Sequence, residues 1–275
     1  MNHFNPESRI APKLLATDLD GTLIPLPEDA SNIDALSQLF QFHQDGQFGL
    51  IFATGRHFES VLGAIAEYQL PIPEWIVCDV GSTIYKREGD DFNIYQKYEQ
   101  HLLDITGQVQ RTQIEALLQN IAGLEMQCPD HQQRFKISYE TAEEAVENIR
   151  AIIAERLTAA ELPYECMASV DPFSKRGLID VLPAQITKAY ALIWLATHAD
   201  FQPGEVIYSG DSGNDYAALV SGFRAIIVAN GSNGLVEKVT RTLKSRDLLD
   251  RLYVAQTRAS SGVLEGCRHF ELVTE

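Results

Sequence analysis

Two carboxylates one residue apart, Asp18 and Asp20, close a short apolar run from Leu14 to Ala16, and Gly21 follows at once. The run reads as a buried strand, and a glycine lets the chain turn sharply behind it. Two carboxylates at one strand tip repel each other unless a cation or a shared proton relieves them. The chemistry this suits is metal-assisted phosphoryl transfer, with Asp18 as nucleophile and Asp20 as acid/base. Taken alone, Asp-Leu-Asp-Gly is also a plain polar strand-to-turn ending.

Further stretches carry complementary groups. Phe48 to Ala53 reads as a second buried strand and ends in Thr54-Gly55-Arg56. The Thr54 hydroxyl there can bond an anionic oxygen or cap the helix that follows. Trp75 to Cys78 is a third short strand, and Gly81 and Ser82 in the loop behind it are small enough for a ligand to approach the backbone. Lys188 opens a helical segment, and the strand Val206 to Tyr208 ends in Ser209-Gly-Asp-Ser-Gly-Asn-Asp215. An unhindered Asp18 carboxylate can attack phosphorus to give an aspartyl-phosphate. Asp20 can protonate the leaving alcohol and then deprotonate the water that hydrolyses the intermediate. The hard oxygen ligands are Asp18, the Asp20 backbone carbonyl and Asp211, with Ser212 and Asp215 behind them. Such a set suits Mg²⁺, which lets an anionic nucleophile approach an anionic phosphate. Thr54, Gly55, Arg56, Lys188 and Asn214 are the candidates for the remaining phosphate oxygens, where charge neutralisation supplies most of the catalysis. Lys188 by itself also reads as a solvated lysine, and Gly210 to Asp215 as a polar loop. Together, in this order, they point to one site.

The elements that must position these groups follow from periodicity. A helix is expected from near Ser31, with Ile33, Leu36, Leu39 and Phe40 on one face, and another over Phe58 to Tyr68. From Ile84 the character changes. Phe92 to Tyr98 reads as a strand, and Ile114, Leu117, Leu118 and Ile121 mark a helix. Phe135, Ile137 and Tyr139 alternate, as do Tyr164, Cys166, Ala168 and Val170. Thr141-Ala-Glu-Glu144 reads as a capping box opening a helix. Alternation implies a sheet with one open face, whereas the other strands are continuous apolar runs buried on both faces. The expected organisation is an α/β core over 1–83 and 176–275 with a second α/β module inserted over 84–175. Leu178 to Leu182 resumes the core pattern, a helix runs from about Thr187 to His198, and Ala225 to Val228 is the last apolar strand. Amphipathic segments lie around Leu235 to Val239 and Leu248 to Tyr253, before a final helix over Ser260 to Phe270.

Composition narrows the partners. The chain has 275 residues, 45% of them hydrophobic, and a formal net charge of −16. General binders of nucleic acid or anionic membranes are basic, so neither partner is expected. A small anionic substrate remains open, because a local cation outweighs distant surface charge. Four scattered cysteines without a C-x-x-C pair argue against a zinc cluster or disulfide framework and for a reduced, cytoplasmic setting. Met1 to Lys13 lacks the apolar stretch of a signal peptide, and residues 1–12 read as a short disordered lead-in. No apolar run is long enough to span a membrane.

Asp18-Leu-Asp-Gly-Thr22, Thr54-Gly-Arg56, Lys188 and Gly210-Asp-Ser-Gly-Asn-Asp215 resemble, in order, the four motifs of the haloacid dehalogenase superfamily. The resemblance implies a Rossmann-like parallel-sheet core with an inserted cap of the class IIB type, and the second aspartate, Asp20, implies phosphate rather than halide chemistry. Within that class the chain is similar to sucrose-phosphate phosphatases, through Asp79-Val-Gly-Ser-Thr83, Lys136-Ile-Ser-Tyr139, Asp180-Val-Leu-Pro183 and Ser261 to Phe270. It departs from them at Thr187, where a glycine is usual, at Asp79 and over Asp171 to Gly177. By resemblance, Lys136, Ser138, Glu140, Lys175 and Arg176 are cap candidates for sugar hydroxyls or a second charge; solvated cap charges are the other reading. The implied activity is Mg²⁺-dependent hydrolysis of a sugar phosphate such as sucrose 6-phosphate. A glycosyl-3-phosphoglycerate phosphatase, a sugar phosphomutase, and a non-catalytic sugar-phosphate-binding module docked on a glycosyltransferase are the alternatives. The sequence leaves the oligomeric state open.

Overall fold

The computed structural model describes residues 11, 13–27, 29–170, 174–199 and 201–274. The lead-in expected over 1–12 falls almost wholly outside them, as does the start of the Asp171 to Gly177 segment. Among the described residues there are twelve strands: β1 (Leu14–Thr17), β2 (Gly49–Ala53), β3 (Trp75–Cys78), β4 (Thr83–Glu88), β5 (Asp91–Ile94), β6 (Glu125–Met126), β7 (Ile137–Ala142), β8 (Tyr164–Val170), β9 (Arg176–Pro183), β10 (Val206–Gly210), β11 (Arg224–Ile227) and β12 (Leu252–Val254). Between them run α1 (Ala30–Gln44), α2 (Phe58–Tyr68), α3 (Gln96–Ile105), α4 (Arg111–Leu118), α5 (Val146–Ala159), α6 (Lys188–His198), α7 (Tyr216–Leu219), α8 (Asn233–Ser245) and α9 (Ala259–His269). They form two compact units, one reaching Asn93 and resuming at Thr187, the other spanning Ile94–Ile186.

The first unit is an α/β layer structure around an eight-stranded sheet of order β12-β11-β10-β1-β2-β3-β4-β5. The six strands from β12 to β3 are parallel, and β4 returns antiparallel to β3. The continuous apolar runs explain the burial. Leu15, Phe52, Ile76, Ile207 and Ile226 face one cluster with Leu36, Leu39, Val263 and Leu264, while the alternate residues Ala16, Ile51, Val77, Tyr208 and Ala225 are equally buried on the other side. The chain leaves β1 through α1 toward β2 and later returns through α6 to β10, so strand order reverses at β1. Ligand crevices of such sheets open at this reversal, beyond the carboxyl ends of the strands.

Local chemistry fixes the helices. Asp29 caps α1 by accepting from Ser31 N and Asn32 N, and α2 is capped by His57 accepting from Ser60 N, so Thr54 is released from that duty. Gln69 ends α2 in the left-handed region at φ 53°, and Pro71 and Pro73 prevent its resumption. Thr187 caps α6 through Tyr190 N. On α1 the expected face is rotated: Ile33 is exposed, and Asn32 takes its place in the interior. There Asn32 Nδ2 donates to the Arg258 carbonyl and Ser261 Oγ, tying α1 to the start of α9.

The second unit has its own sheet, β6-β7-β9-β8, antiparallel throughout. Ile137, Tyr139, Ile179 and Val181 pack against Ile114, Ile149, Ile153 and Leu157 of its helices. Here several expectations are corrected. Residues 84–93 extend the large sheet instead of opening the insert, and Tyr98 lies in α3, not a strand. The Leu178 to Leu182 run belongs to β9, central in the second sheet between β7 and β8, with Ile179, Val181 and Leu182 buried and Leu178 and Asp180 only partly so. Thr141 is not a helix cap: pairing continues to Ala142 opposite Arg176, so Thr141 stays in β7 and α5 starts only at Val146. In the first unit, the segment around Leu248 to Tyr253 ends in the additional parallel strand β12, where an amphipathic segment was expected.

Candidate active site

Asp18 directly follows β1, whose Thr17 is paired with Phe52 of β2 and Ser209 of β10. The ends of β2 and β10 therefore deliver Thr54 and Asp211 to either side of it. The side chain of Asp18 is buried, and its Oδ1 accepts a 2.9 Å hydrogen bond from Lys188 Nζ. Lys188 is the first residue of α6 and is fully buried. Its ammonium also donates to Asp215 Oδ1 at 2.8 Å and Asn214 Oδ1 at 3.3 Å. The solvated-lysine reading is thereby excluded.

Asp215 is saturated. Tyr208 Oη donates to its Oδ1 at 2.6 Å, and Asp211 N, Ser212 N and Ser212 Oγ donate to its Oδ2 at 3.0–3.1 Å. It holds the Gly210 to Asp215 turn closed, and Gly210 is needed there because a Cβ would fall 2.6 Å from the Asp215 carboxyl carbon. Asp211 accepts from Thr22 Oγ1 at 3.1 Å on one oxygen and Asn230 Nδ2 at 3.3 Å on the other.

The electrostatics are those of crowded acids around one cation. Burial pushes the Asp18 carboxyl up to about 7, against the opposing pull of Lys188. Burial and the neighbouring Asp215 push Asp211 up to about 6. Burial also opposes the charge on Lys188, but Asp18 and Asp215 outweigh it and hold the ammonium protonated. Asp18, Asp211 and Asp215 can bring one carboxylate oxygen each within 4.8 Å of one another. Oxygen-only donors, mutually repelling and short of positive charge, fit a hard divalent cation. With Asp215 already occupied by five donors, Asp18 and Asp211 are the carboxylates left to hold it.

Asp20 lies apart from this set. Its carboxylate faces outward and is gripped by Arg56, Nε to Oδ2 at 2.8 Å and Nη2 to Oδ1 at 2.6 Å. Arg56 also donates to the carbonyl and hydroxyl of Ser60 in α2. Thr54 is buried, and its Oγ1 accepts from Arg56 N at 3.1 Å. Gly55 stands between them. The loop after β3 braces both arms of the site. Val80 N bonds the Thr54 carbonyl and Asp79 N the Arg56 carbonyl, while Gly81, at φ 106°, packs so closely on Thr187 that a Cβ would lie 2.3 Å from its carbonyl oxygen. Asp79 and Val80 both hold left-handed φ values, 52° and 60°, which is a strained state for a β-branched residue. Ser82 Oγ is buried behind this turn with no hydrogen-bond partner among the described residues.

The cap candidates sit in the second unit and form a network of their own. Ser138 Oγ donates to Asp180 Oδ1 at 2.6 Å, and Lys136 Nζ lies 3.7 Å from Asp180 Oδ2. Arg176 bridges Glu140 and Glu125 at 3.1 and 2.9 Å. Lys175 is exposed and joins no ion pair among the described residues. Sequence reasoning passed over Thr22, Tyr208 and Asn230. Thr22 was legible as part of the Asp-Leu-Asp-Gly-Thr stretch; Tyr208 and Asn230 carry no local signal.

A Rossmann-like sheet with a buried aspartate at the end of its first strand, a lysine on it and an acidic turn beside it defines a haloacid dehalogenase-type hydrolase. The family model described as sucrose-6F-phosphate phosphohydrolase matches residues 11–271, and the chain belongs to that family. It is a sugar phosphatase, a phosphoric monoester hydrolase. It is 30% identical to the mannosylfructose-phosphate phosphatase of Agrobacterium fabrum, over 94% of this chain and 97% of that one. It is 29% identical to a glucosylglycerol-phosphate synthase of Pseudomonas anguilliseptica, over 94% of this chain but only 30% of the synthase. The sucrose-phosphatase from Synechocystis, solved with sucrose and phosphate, superposes with a TM-score of 0.74 at 26% identity, covering 96% of this chain and all of that one. No helix among the described residues is long and apolar enough to cross a membrane.

Proposed function

We propose that the protein hydrolyses the phosphate monoester of a disaccharide or glycoside, such as sucrose 6-phosphate, with Mg²⁺ as cofactor. The observation that carries this reading is the buried Asp18 with Lys188 on one oxygen and Asp211 beside it. Asp18 attacks phosphorus and forms an aspartyl-phosphate; the bond to the sugar oxygen breaks as Asp20 delivers a proton to it. Asp20 then takes a proton from the water that attacks the aspartyl-phosphate, returning Asp18 and releasing phosphate. Lys188 and the Thr54 hydroxyl, with Gly55 and Asn214, neutralise or bond the phosphoryl oxygens. Asp18, Asp211 and the Asp20 carbonyl would hold Mg²⁺, which supplies charge neutralisation for an anion meeting an anion. Ser212 and Asp215 fix the turn that carries Asp211.

Lys136, Ser138, Glu140, Lys175 and Arg176 are proposed to read the leaving group. Lys136 and Arg176 already carry carboxylate partners, which favours a neutral, hydroxyl-bearing leaving group over the carboxylate of a glycosyl-3-phosphoglycerate. The match to part of a glucosylglycerol-phosphate synthase supports association with a glycosyltransferase. Four free cysteines support a cytoplasmic setting.

The test is a phosphate-release screen with Mg²⁺ over sucrose 6-phosphate, other glycoside phosphates, glycosyl-3-phosphoglycerates and hexose 6-phosphates. Release from a neutral glycoside phosphate, abolished in Asp18→Asn with substrate binding retained, is the expected result. Isomerised sugar phosphate without free phosphate would instead identify a mutase, and tight binding without turnover a silent module.

A further inference from the structure

Asn230 stands on the loop after β11, outside every motif of the site, and joins three segments of the first unit. Its Nδ2 donates to the Gly21 carbonyl at 2.7 Å and to Asp211 Oδ2 at 3.3 Å, and its Oδ1 accepts from Ala259 N at 2.9 Å. The orientation of the amide follows from its partners. Two acceptors face the nitrogen and one N–H faces the oxygen, and the flipped amide would lose all three bonds. The contact is tight: Gly21 sits at φ 74°, and a Cβ there would fall 2.6 Å from Asp211 Oδ2 and 3.4 Å from Asn230 Nδ2.

This arrangement answers a physical problem of the site. Asp211 is a half-buried acid beside Asp18 and Asp215, and repulsion drives its side chain away from them. Two neutral donors hold it in place, Thr22 Oγ1 on Oδ1 and Asn230 Nδ2 on Oδ2. Asn230 alone also fixes the Gly21 carbonyl, and hence the peptide turn that presents Asp20. Ala259, at the start of α9, anchors the far end of the amide.

We propose that Asn230 is a positioning residue that holds Asp211 and the Asp20–Gly21 turn in mutual register for cation binding. The proposal rests on the reading of Asp18 and Asp211 as cation ligands. Hydrogen-bond partners of metal ligands of this kind change metal affinity by about 10–100-fold when removed.

The experiment is calorimetric titration of Mg²⁺ into the intact protein and its Asn230→Ala and Asn230→Ser variants, without substrate, alongside thermal melting in EDTA. The expected result is a Mg²⁺ Kd raised roughly tenfold or more in Asn230→Ala. The smaller hydroxyl of Asn230→Ser should give a lesser rise, and the folded fraction at 25 °C should be unchanged. A Mg²⁺ Kd within twofold of the parent, with only the EDTA melting temperature lowered, would assign Asn230 to scaffolding and overturn the proposal. Absence of Mg²⁺ binding by the parent itself would instead overturn the underlying reading of the site.

Discussion

Arg56 holds Asp20 through one guanidinium edge, Nε and Nη2, in a two-point bridge whose carboxylate is more than half exposed. An exposed pair of this kind adds under about 1 kcal/mol to stability, so its consequence is orientation. The Asp20 carboxylate has a defined direction before substrate arrives. Arg56→Ala should leave the melting temperature nearly unchanged and lower kcat/KM by roughly 10–100-fold, the scale on which a misplaced catalytic group costs rate. Arg56→Lys should rescue little, because an ammonium cannot present two parallel donors. Steady-state kinetics at saturating Mg²⁺ decide it; an unchanged kcat/KM for Arg56→Ala would remove the role.

Lys188 is the shared counter-charge of Asp18 and Asp215, and none of it reaches solvent. Lys188→Met leaves those carboxylates buried without a cation, which costs about 3–5 kcal/mol. Adding Asp18→Asn should restore part of that loss, since it removes one of the stranded charges. Urea unfolding in EDTA measures both, and simple additivity of the two substitutions would contradict the coupling.

Gly81 meets backbone, not a flexible side chain, where it packs on Thr187. Gly81→Ala forces either the strained Asp79–Val80 turn or the start of α6 to move. A stability loss of at least about 1–3 kcal/mol is expected, with a fall in kcat as Lys188 is displaced. Wild-type kcat in a folded Gly81→Ala protein would show that the turn does not set the position of Lys188.

Glu265 of α9 collects Tyr253 Oη, Gln256 N, Thr257 N and Thr257 Oγ1. Burial alone would raise its carboxyl, but the hydrogen bonds from Thr257, Tyr253 and Gln256 together hold it below the usual 4.5. A carboxyl lowered on folding contributes stability above its unfolded value and loses it as pH falls through the folded value. The stability gap between the parent and Glu265→Gln should therefore be full at pH 6–7 and shrink as pH drops below about 4.5. Melting temperatures across that range test it; a gap independent of pH would mean the ionised form is not what the loop recognises.

The candidate site was legible because its parts are local in sequence: a carboxylate pair closing an apolar run, a threonine after a second run, an acidic turn after a third. Each is a strand end, and parallel pairing of β1 with β2 and β10 does the rest. What escaped notice depends on folding at long range. Asn230 looks like any loop asparagine until β11 carries it to Gly21, and Tyr208 looks like a core aromatic until its hydroxyl meets Asp215. The limits of the insert were misplaced for a related reason. Leu178 to Leu182 is as apolar as a core strand, and an antiparallel strand at the centre of a small sheet has the same composition. Thr141-Ala-Glu-Glu144 has the letters of a capping box, but a strand partner claimed the threonine first.

The second unit is spliced into the first at only two points, after Asn93 and before Thr187, and brings its own apolar centre from Ile114 to Val181. The acidic triad and its lysine lie wholly outside that stretch. Such wiring separates two inheritances. On the proposed reading, what is recognised can be redrawn through changes confined to one continuous stretch of chain, leaving the groups assigned to breaking the ester bond untouched.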